Sequence, residues 1–396
     1  MKILYHHRTA SKDGQAVHIE ELIGALRELG HEVRVVGPTE SGGSMGDDAT
    51  WVHKLKATLP KAAYEILELA YTLFAYRRLV SAAREFQPHF IYERYNLFLL
   101  AGAMLKRRLG LPLLLEVNAP LAEERGRFGG LGLPRLARWA ESRAWRGADF
   151  VLPVTSVLAA HVTAVGVTSE HIFVIPNGIN RAHFAAAPRV EIAKQKLDLT
   201  DSLVLGFTGF IRDWHGVDRV IRWMASPDAP INAVLLVVGD GPVRGDLEQL
   251  ATDLSLRDRV RFTGVVPRER VPEQVAAFDI ALQPAVVAYA SPLKLFEYLA
   301  LGKAVIAPRQ PNIEEILAHE DNALLFNAAE PGAMEQALTR LCEDPDLRAR
   351  LAAGAVATID RLDLTWLGNA RRVSDLAGKV LGLPASPDRG RQSARP

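Results

Sequence analysis

The sequence predicts an α/β protein made of two doubly wound domains. Three observations carry that expectation. Short apolar runs alternate with helix-period segments in two separate series. The series break near residues 177–200. The chain has 396 residues, and roughly 100–200 residues per domain allows two domains or three.

The first series opens with KILYH at 2–6, a short apolar run, followed by a polar loop ending in Asp13-Gly14. Val17, Ile19, Leu22, Ile23, Leu26 and Leu29 then recur at a near-helical period. Gly30 is a natural stop, and EVRVVG at 32–37 resumes as a strand. This strand–helix–strand unit calls for a parallel sheet with a right-handed crossover. FIYERY at 90–95, a helix ending near Leu109, LPLLLEV at 111–117 and DFVLPVT at 149–155 continue it. The second series runs through LVLGFTG from Leu203, a helix from Val217 to Ala225, NAVLLVVG at 232–239 and a helix over 243–254. RVRFTG at 259–264, a helix over 269–277, DIALQP, a helix over 292–301 and KAVIAP at 303–308 complete it. Between the first strands, segment 51–86 reads as one or two helices. It mixes Leu55, Leu59, Ile66, Leu69, Leu73, Phe74 and Leu79 with Lys54, Lys56, Lys61, Arg77, Arg78 and Arg84. Such a stretch suits either an anionic membrane face or a helical insertion packed on its own domain.

Composition excludes several classes. A single thiol, Cys342, forms no internal disulfide and no zinc-type cysteine set, which favours a reducing compartment. A formal net charge of +1 argues against a general nucleic-acid binder. The N-terminus lacks a signal-peptide pattern, and no apolar run approaches the ~20 residues of a membrane span. A cytoplasmic protein is expected, with the inner face of the cell membrane as an option.

The chemistry concentrates in a few loops. In ASPLKLFEYLALGKAVIAP at 290–308, Ser291 reads as an N-cap and Pro292 as the first helical residue. The N–H groups of Leu293 and Lys294 then sit at the positive end of the helix, which favours a phosphate. Lys294 adds a full charge, and Glu297, one turn on, suits ribose hydroxyls. The plainer alternative is a capped helix with a surface Lys–Glu pair. GFIRDWHG at 209–216 follows a strand, where open α/β sheets bind ligands. Gly209 and Gly216 allow close approach there, while Arg212 and His215 offer contacts to phosphate. VVGDGP at 237–242 reads as scaffold, and FTGVVP at 262–267 offers main chain around Val265 and Val266 to a flat base. In the first half, Gly14 could approach a phosphate or sugar, His18 reads as structural, and the loop EVNAPLAEER gathers Asn118, Glu123, Glu124 and Arg125.

IPNGIN with Phe184, GFTGFIRDWHGVDRVI, VVGDGP, RVRFTGVV, FDIALQP and SPLKLFEYLALGKAVIA, in that order, resemble the carboxyl half of glycosyltransferase family 4. The Asp13-Gly14 loop, His18 and Gly30-His31-Glu32-Val33 are similar to that family's acceptor-binding domain, and YERYNLF and EVNAPLAEER to a bacterial exopolysaccharide branch. The resemblance covers about residues 1–380. It implies the GT-B fold, two Rossmann-like domains flanking an interdomain cleft. The acceptor domain would span 1–178, with a crossover helix at 364–381, a segment that includes Trp366, returning to it. The nucleotide-sugar domain would span 179–363, and 382–396 would be a frayed tail.

The implied activity is metal-independent hexosyl transfer from a nucleotide-diphosphate sugar, of the UDP or GDP kind, with retention of configuration. No cofactor and no metal is implied. By the resemblance, Glu297 holds the ribose, and Leu293, Lys294 and Arg212 the diphosphate, with Ser291 and Pro292 beside them. Val265 and Val266 meet the base, and Gly14 approaches from the other domain. Partners would be the nucleotide-sugar and a glycan or lipid-linked acceptor, His18, Glu123, Glu124 and Arg125 lying on the acceptor side, with peripheral membrane contact through 51–86 and no nucleic acid. The chain departs from the family's pattern at Tyr289, where a first glutamate is common, at Phe210 and His215, where Arg and Lys are common, and at Asn118, where a histidine often meets the sugar. A sugar-nucleotide epimerase, a phosphorylase and a non-catalytic nucleotide-sugar-binding protein are the alternatives.

Overall fold

The structure is a computed structural model and describes residues 1–9, 14–38 and 59–383. The chain divides into two units, Met1–Ile175 with Leu367–Pro396, and Pro176–Trp366. Asp13, residues 51–58 of the basic segment, and 384–396 of the expected tail lie outside the described residues.

Five parallel strands form the sheet of the first unit: β1 (Lys2–His6), β2 (Glu32–Val36), β3 (Phe90–Arg94), β4 (Leu113–Val117) and β5 (Phe150–Pro153). Their order is β2-β1-β3-β4-β5. β1, β3, β4 and β5 are short and almost wholly buried, as strands covered by helices on both faces must be. The register sets Tyr5 opposite Tyr92 and Arg94 opposite Glu116. Because side chains alternate along a strand, these four residues share one face. The last helix, Trp366–Val380, belongs to this unit: Ser374 Oγ lies 2.7 Å from His31 Nε2, and Lys379 Nζ sits 5.1 Å from the Phe173 ring.

Two expectations for this unit need correction. The helix Lys61–Phe86 packs on its own unit, but its first half is turned against its apolar pattern. Glu65, Glu68 and Thr72 are buried there, while Ile66, Leu73 and Phe74 are 55%, 56% and 54% exposed. The buried carboxylates are taken up by hydrogen bonds: Gly132 and Leu133 N–H groups donate to Glu65 at 2.8 and 2.7 Å, and Arg125 donates twice to Glu68. Those same bonds help to hold the end of 116–125, expected as a loop, in helical form. After Pro120 the chain forms the helix Leu121–Glu124 and continues as a π-helix over Arg125–Gly129. Arg125 points to Glu68, and the Ala122 N–H donates to Glu141 at 3.1 Å.

The second unit holds six parallel strands: β6 (Leu203–Thr208), β7 (Ala233–Val238), β8 (Val260–Phe262), β9 (Ile280–Leu282), β10 (Ala304–Pro308) and β11 (Ala323–Phe326), ordered β11-β10-β9-β6-β7-β8. β11 was not foreseen from the sequence. Its four residues, ALLF, are too few for periodicity to separate a strand from a buried helical piece. One core layer packs Val204, Val234 and Val305 against Leu295, Phe296 and Leu299, and the other packs Phe207 and Leu235 against Val220 and Ile221.

The helix meant for the phosphate begins one residue late. It spans Leu293–Ala300 with Pro292 as the flanking residue, and no side chain caps it. Ser291 is occupied elsewhere: its Oγ accepts the Asn177 N–H at 3.2 Å, and its carbonyl accepts from Asn177 Nδ2 at 2.5 Å. The proline ring holds the turn before the helix instead of supplying its first residue. No helix among the described residues is long and apolar enough to cross a membrane.

Candidate active site

In the second unit the functional loops are joined at the carboxyl ends of β6, β7 and β8. The Gly209 N–H donates to the Val238 carbonyl and the Ile211 N–H to the Asp240 carbonyl, both at 2.9 Å. The Gly239 N–H donates to Thr263 Oγ1 at 3.2 Å. This is why glycine stands at 239: a Cβ there would lie 2.1 Å from the Gly209 carbonyl oxygen, and its φ is +143°. VVGDGP, read from the sequence as scaffold, therefore carries the GFIRDWH loop.

Lys294 reaches this junction from the helix Leu293–Ala300. Its Nζ lies 3.7 Å from the centroid of the Phe207 ring, the closest cation–ring contact of the second unit's lysines. It is buried and has no hydrogen-bond partner among the described residues. Burial pushes its ammonium down to about 7, although Glu297 pulls the other way. The same burial raises the Glu297 carboxyl to about 7, against the pull of Lys294 and Arg268. A buried cation without a partner is costly. An arriving anion is what would satisfy it.

His215 shares this neighbourhood. Its Nδ1 accepts the Arg212 N–H at 3.0 Å, which leaves Nε2 as the protonated nitrogen. Burial, then Lys294 and Arg212, lowers the imidazole to about 3, so the ring is neutral and offers a single N–H. Arg212 is exposed, its guanidinium 4.7 Å from the Phe210 ring and 5.3 Å from the Trp214 ring. A cavity of about 380 Å³ opens beside Arg212, but Asp213, Asp218, Asp246 and Asp253 line it as well. That acidic lining makes it a poor diphosphate site. Val265 is 82% exposed, whereas Val266 packs against the core.

The first unit gathers a different set at the end of its sheet. Glu116 is buried and receives four donors. Tyr92 Oη donates to it at 2.7 Å, Asn118 Nδ2 at 2.5 Å, and Arg94 Nη1 also donates, while His18 Nε2 lies at 2.9 Å. Burial alone would raise its carboxyl, but His18 and Arg94 hold it well below the usual carboxylate range. On the opposite face His6 Nδ1 meets Glu93 at 2.5 Å, and the Gly102 N–H donates to the same carboxylate at 3.0 Å.

Of the first unit's candidates, His18 from the acceptor-side set and Asn118 therefore come together, both on Glu116. Glu123 is exposed, near Arg127 at 3.2 Å and His161 at 3.7 Å, and Arg125 is tied to Glu68. Gly14 is exposed and starts the helix Gly14–Glu28. Glu116, Arg94 and Tyr92 were not singled out from the sequence. A period-two signal marked them: YxR at the end of β3 and ExN at the end of β4 place polar pairs on one strand face.

Two parallel Rossmann-like sheets, each in its own unit, define the GT-B class of glycosyltransferase structure. A model of the glycosyl transferase 4-like domain matches residues 13–178, and one of the glycosyl transferases group 1 matches residues 189–357. The chain belongs to this family of group 1, family 4-type glycosyltransferases. It is 28% identical over 371 residues to the lipopolysaccharide core biosynthesis glycosyltransferase LpsD of Rhizobium meliloti, covering 91% of this chain and 93% of that protein. It is 28% identical over 295 residues to the 2-deoxystreptamine glucosyltransferase of Streptomyces kanamyceticus, covering 72% and 73%. Among solved structures, Anabaena HepE in complex with UDP-glucose superimposes with a TM-score of 0.75 at 19% identity, over 96% of this chain and all, 100%, of that one. Sucrose-phosphate synthase from Thermosynechococcus elongatus gives 0.76 at 18% identity, over 96% and 99%.

Proposed function

We propose that this enzyme moves a hexose from a UDP- or GDP-sugar to an acceptor hydroxyl, with retention of configuration, in the synthesis of exopolysaccharide or another cell-surface glycan. The observation that carries the reading is the buried Lys294 Nζ, without a hydrogen-bond partner, beside Gly209. Relatives support the substrate class: HepE is solved with UDP-glucose, and a 28% identical mycobacterial relative is a GDP-mannose-dependent mannosyltransferase.

In this reading the second unit binds the donor. Lys294, the first N–H groups of the helix Leu293–Ala300 and Arg212 take the diphosphate, and the His215 Nε2–H adds one neutral donor. Glu297 accepts from the ribose hydroxyls, and the main chain around Val265 and Val266 meets the base. As the bond to the sugar breaks, negative charge grows on the leaving phosphate, where these preorganised donors stabilise it. That oxygen then takes the proton of the acceptor hydroxyl, which attacks the face the phosphate leaves. The protein supplies the charge that a metal supplies elsewhere, so chelators leave the rate unchanged. In the first unit Asn118 hydrogen-bonds a sugar hydroxyl, and His18, Glu123 and Glu124 line the acceptor side. The enzyme works in the cytoplasm, at the inner membrane face when its acceptor is lipid-linked.

The test is nucleotide release from UDP-glucose, UDP-galactose, GDP-mannose and ADP-glucose, with and without lipid-linked acceptors, followed by the anomeric configuration of the product. Acceptor-dependent release that disappears in Lys294→Ala supports the reading. Conversion of a donor to another sugar without acceptor would replace it with an epimerase, and equal activity in Lys294→Ala would overturn the site.

A further inference from the structure

The four bonds to Glu116 divide between its two oxygens. Arg94 Nη1 and Asn118 Nδ2 approach Oε1, while Tyr92 Oη and His18 Nε2 approach Oε2. The Asn118 bond fixes which way its amide faces. A reversed amide would set its carbonyl oxygen against a carboxylate, two acceptors in contact, so the observed orientation is the one the charge allows. Asn118 is half-buried, and no donor reaches its Oδ1 among the described residues. The carbonyl at the other end of the planar amide is left for a group from outside.

We propose that Glu116 is a positioning residue for Asn118, holding the amide by its nitrogen so that its carbonyl accepts a hydrogen bond from a sugar hydroxyl of the substrate. Arg94, Tyr92 and His18 hold the carboxylate in turn, so the orientation passes from the rigid strand ends to the amide. The consequence is specificity. A site that presents an acceptor takes a hydroxyl as donor and rejects an analogue in which that hydroxyl is replaced by hydrogen or a methyl ether, because the polar group is then left unpaired. Asn118 takes no proton in this arrangement, and neither does Glu116, whose lone pairs are already engaged.

The inference rests on the reading that Asn118 meets a sugar hydroxyl, and a double-mutant cycle separates the two. Glu116→Gln, Asn118→Ala and the double variant are compared for turnover with UDP-glucose or GDP-mannose, whichever the wild type uses faster, and for binding of the matching nucleoside diphosphate. Glu116→Gln keeps the shape but puts a donor amide where two donors now point. We expect kcat to fall about 10-fold or more in each single variant and no further in the double variant, since residues acting through one contact are not additive. Diphosphate affinity, read at the second unit, stays within twofold in all three, and circular dichroism with Tm confirms that the first unit is folded. Should Glu116→Gln alone prove too unstable, Tyr92→Phe serves in the same cycle: it removes one of the donors that hold the carboxylate, and is expected to lower kcat in the wild-type background and no further in Asn118→Ala. Loss in Asn118→Ala with none in Glu116→Gln would overturn the positioning role alone. Additive losses in either cycle would overturn it too. An Asn118→Ala enzyme with wild-type kcat would overturn the reading beneath it.

Discussion

The two units place buried charge at the same end of the same kind of sheet and treat it in opposite ways. In the first, Glu116 is met by four donors and Glu93 by two. In the second, Lys294 Nζ is buried without a hydrogen-bond partner among the described residues. A satisfied network presents only what is left over, here one amide carbonyl, and a neutral face of that kind suits sugar hydroxyls. A buried cation without a hydrogen-bond partner is a standing cost to stability, which the proposed diphosphate would relieve. In the proposed function that difference assigns the donor diphosphate to the second unit and sugar hydroxyls to the first.

The contrast is broken most directly by substituting Lys294. Lys294→Met should lower nucleotide release by about 10²–10³-fold, the usual loss when one preorganised electrostatic donor is removed. Its thermal midpoint should be no lower than that of the wild type, because the buried ammonium it removes has no hydrogen-bond partner to lose and Met keeps the packing on Phe207. A midpoint several degrees lower would show that Lys294 is paired and structural. Glu116→Ala should do the reverse. It leaves Arg94 and His18 buried without their carboxylate, and breaking such a network costs about 3–5 kcal/mol in denaturant unfolding. A variant as stable as the wild type would show that the four contacts contribute little.

How much of this was legible in the sequence follows from the same contrast. Lys294, Glu297, Arg212 and His215 stand in loops punctuated by glycine and proline, which local chemistry marks. Glu116 and Arg94 lie inside apolar strands, FIYER and LLLEV, where their meeting depends on register between residues distant in the chain. Glu65 and Glu68 were hidden more deeply. A helix pattern predicts its buried face from its apolar residues, and here tertiary hydrogen bonds to Gly132, Leu133 and Arg125 won over that pattern. The Ser291 cap failed for a related reason, because Asn177, more than a hundred positions away, claims the hydroxyl.

Stability against pH sharpens the comparison with a smaller effect. Burial lowers Lys294 from its ordinary 10.5 to about 7, so between those values the unfolded chain holds the extra proton and stability rises with pH. Glu297, raised from 4.5 to about 7, acts the other way, and its contribution falls as pH rises from 4.5 to 7. The pair therefore gives a minimum near pH 7. Denaturation series from pH 5 to 10 should show the alkaline rise in the wild type and lose it in Lys294→Met. A flat wild-type profile above pH 7 would mean that the ammonium keeps its ordinary affinity for protons.

A separate effect, on the acid side, belongs to His215. With its imidazole lowered from 6.5 to about 3, the unfolded chain takes up a proton that the folded ring refuses, so stability falls as pH drops below about 6.5. His215→Asn should flatten that part of the curve and leave the shape of the activity profile between pH 6 and 8 as it was. A shifted activity profile would mean that the ring titrates during turnover.

The central claim is that Lys294 waits for the donor diphosphate, and calorimetry of nucleotide binding tests it. The tightest binder among UDP, GDP and ADP is titrated at pH 8 in two buffers of different ionisation enthalpy. At that pH the free ammonium is largely deprotonated, and binding a diphosphate should restore its charge. Uptake of close to one proton per nucleotide is expected in the wild type and none in Lys294→Met, whose affinity should be at least about 100-fold weaker. Binding without proton uptake, at equal affinity in both proteins, would contradict it.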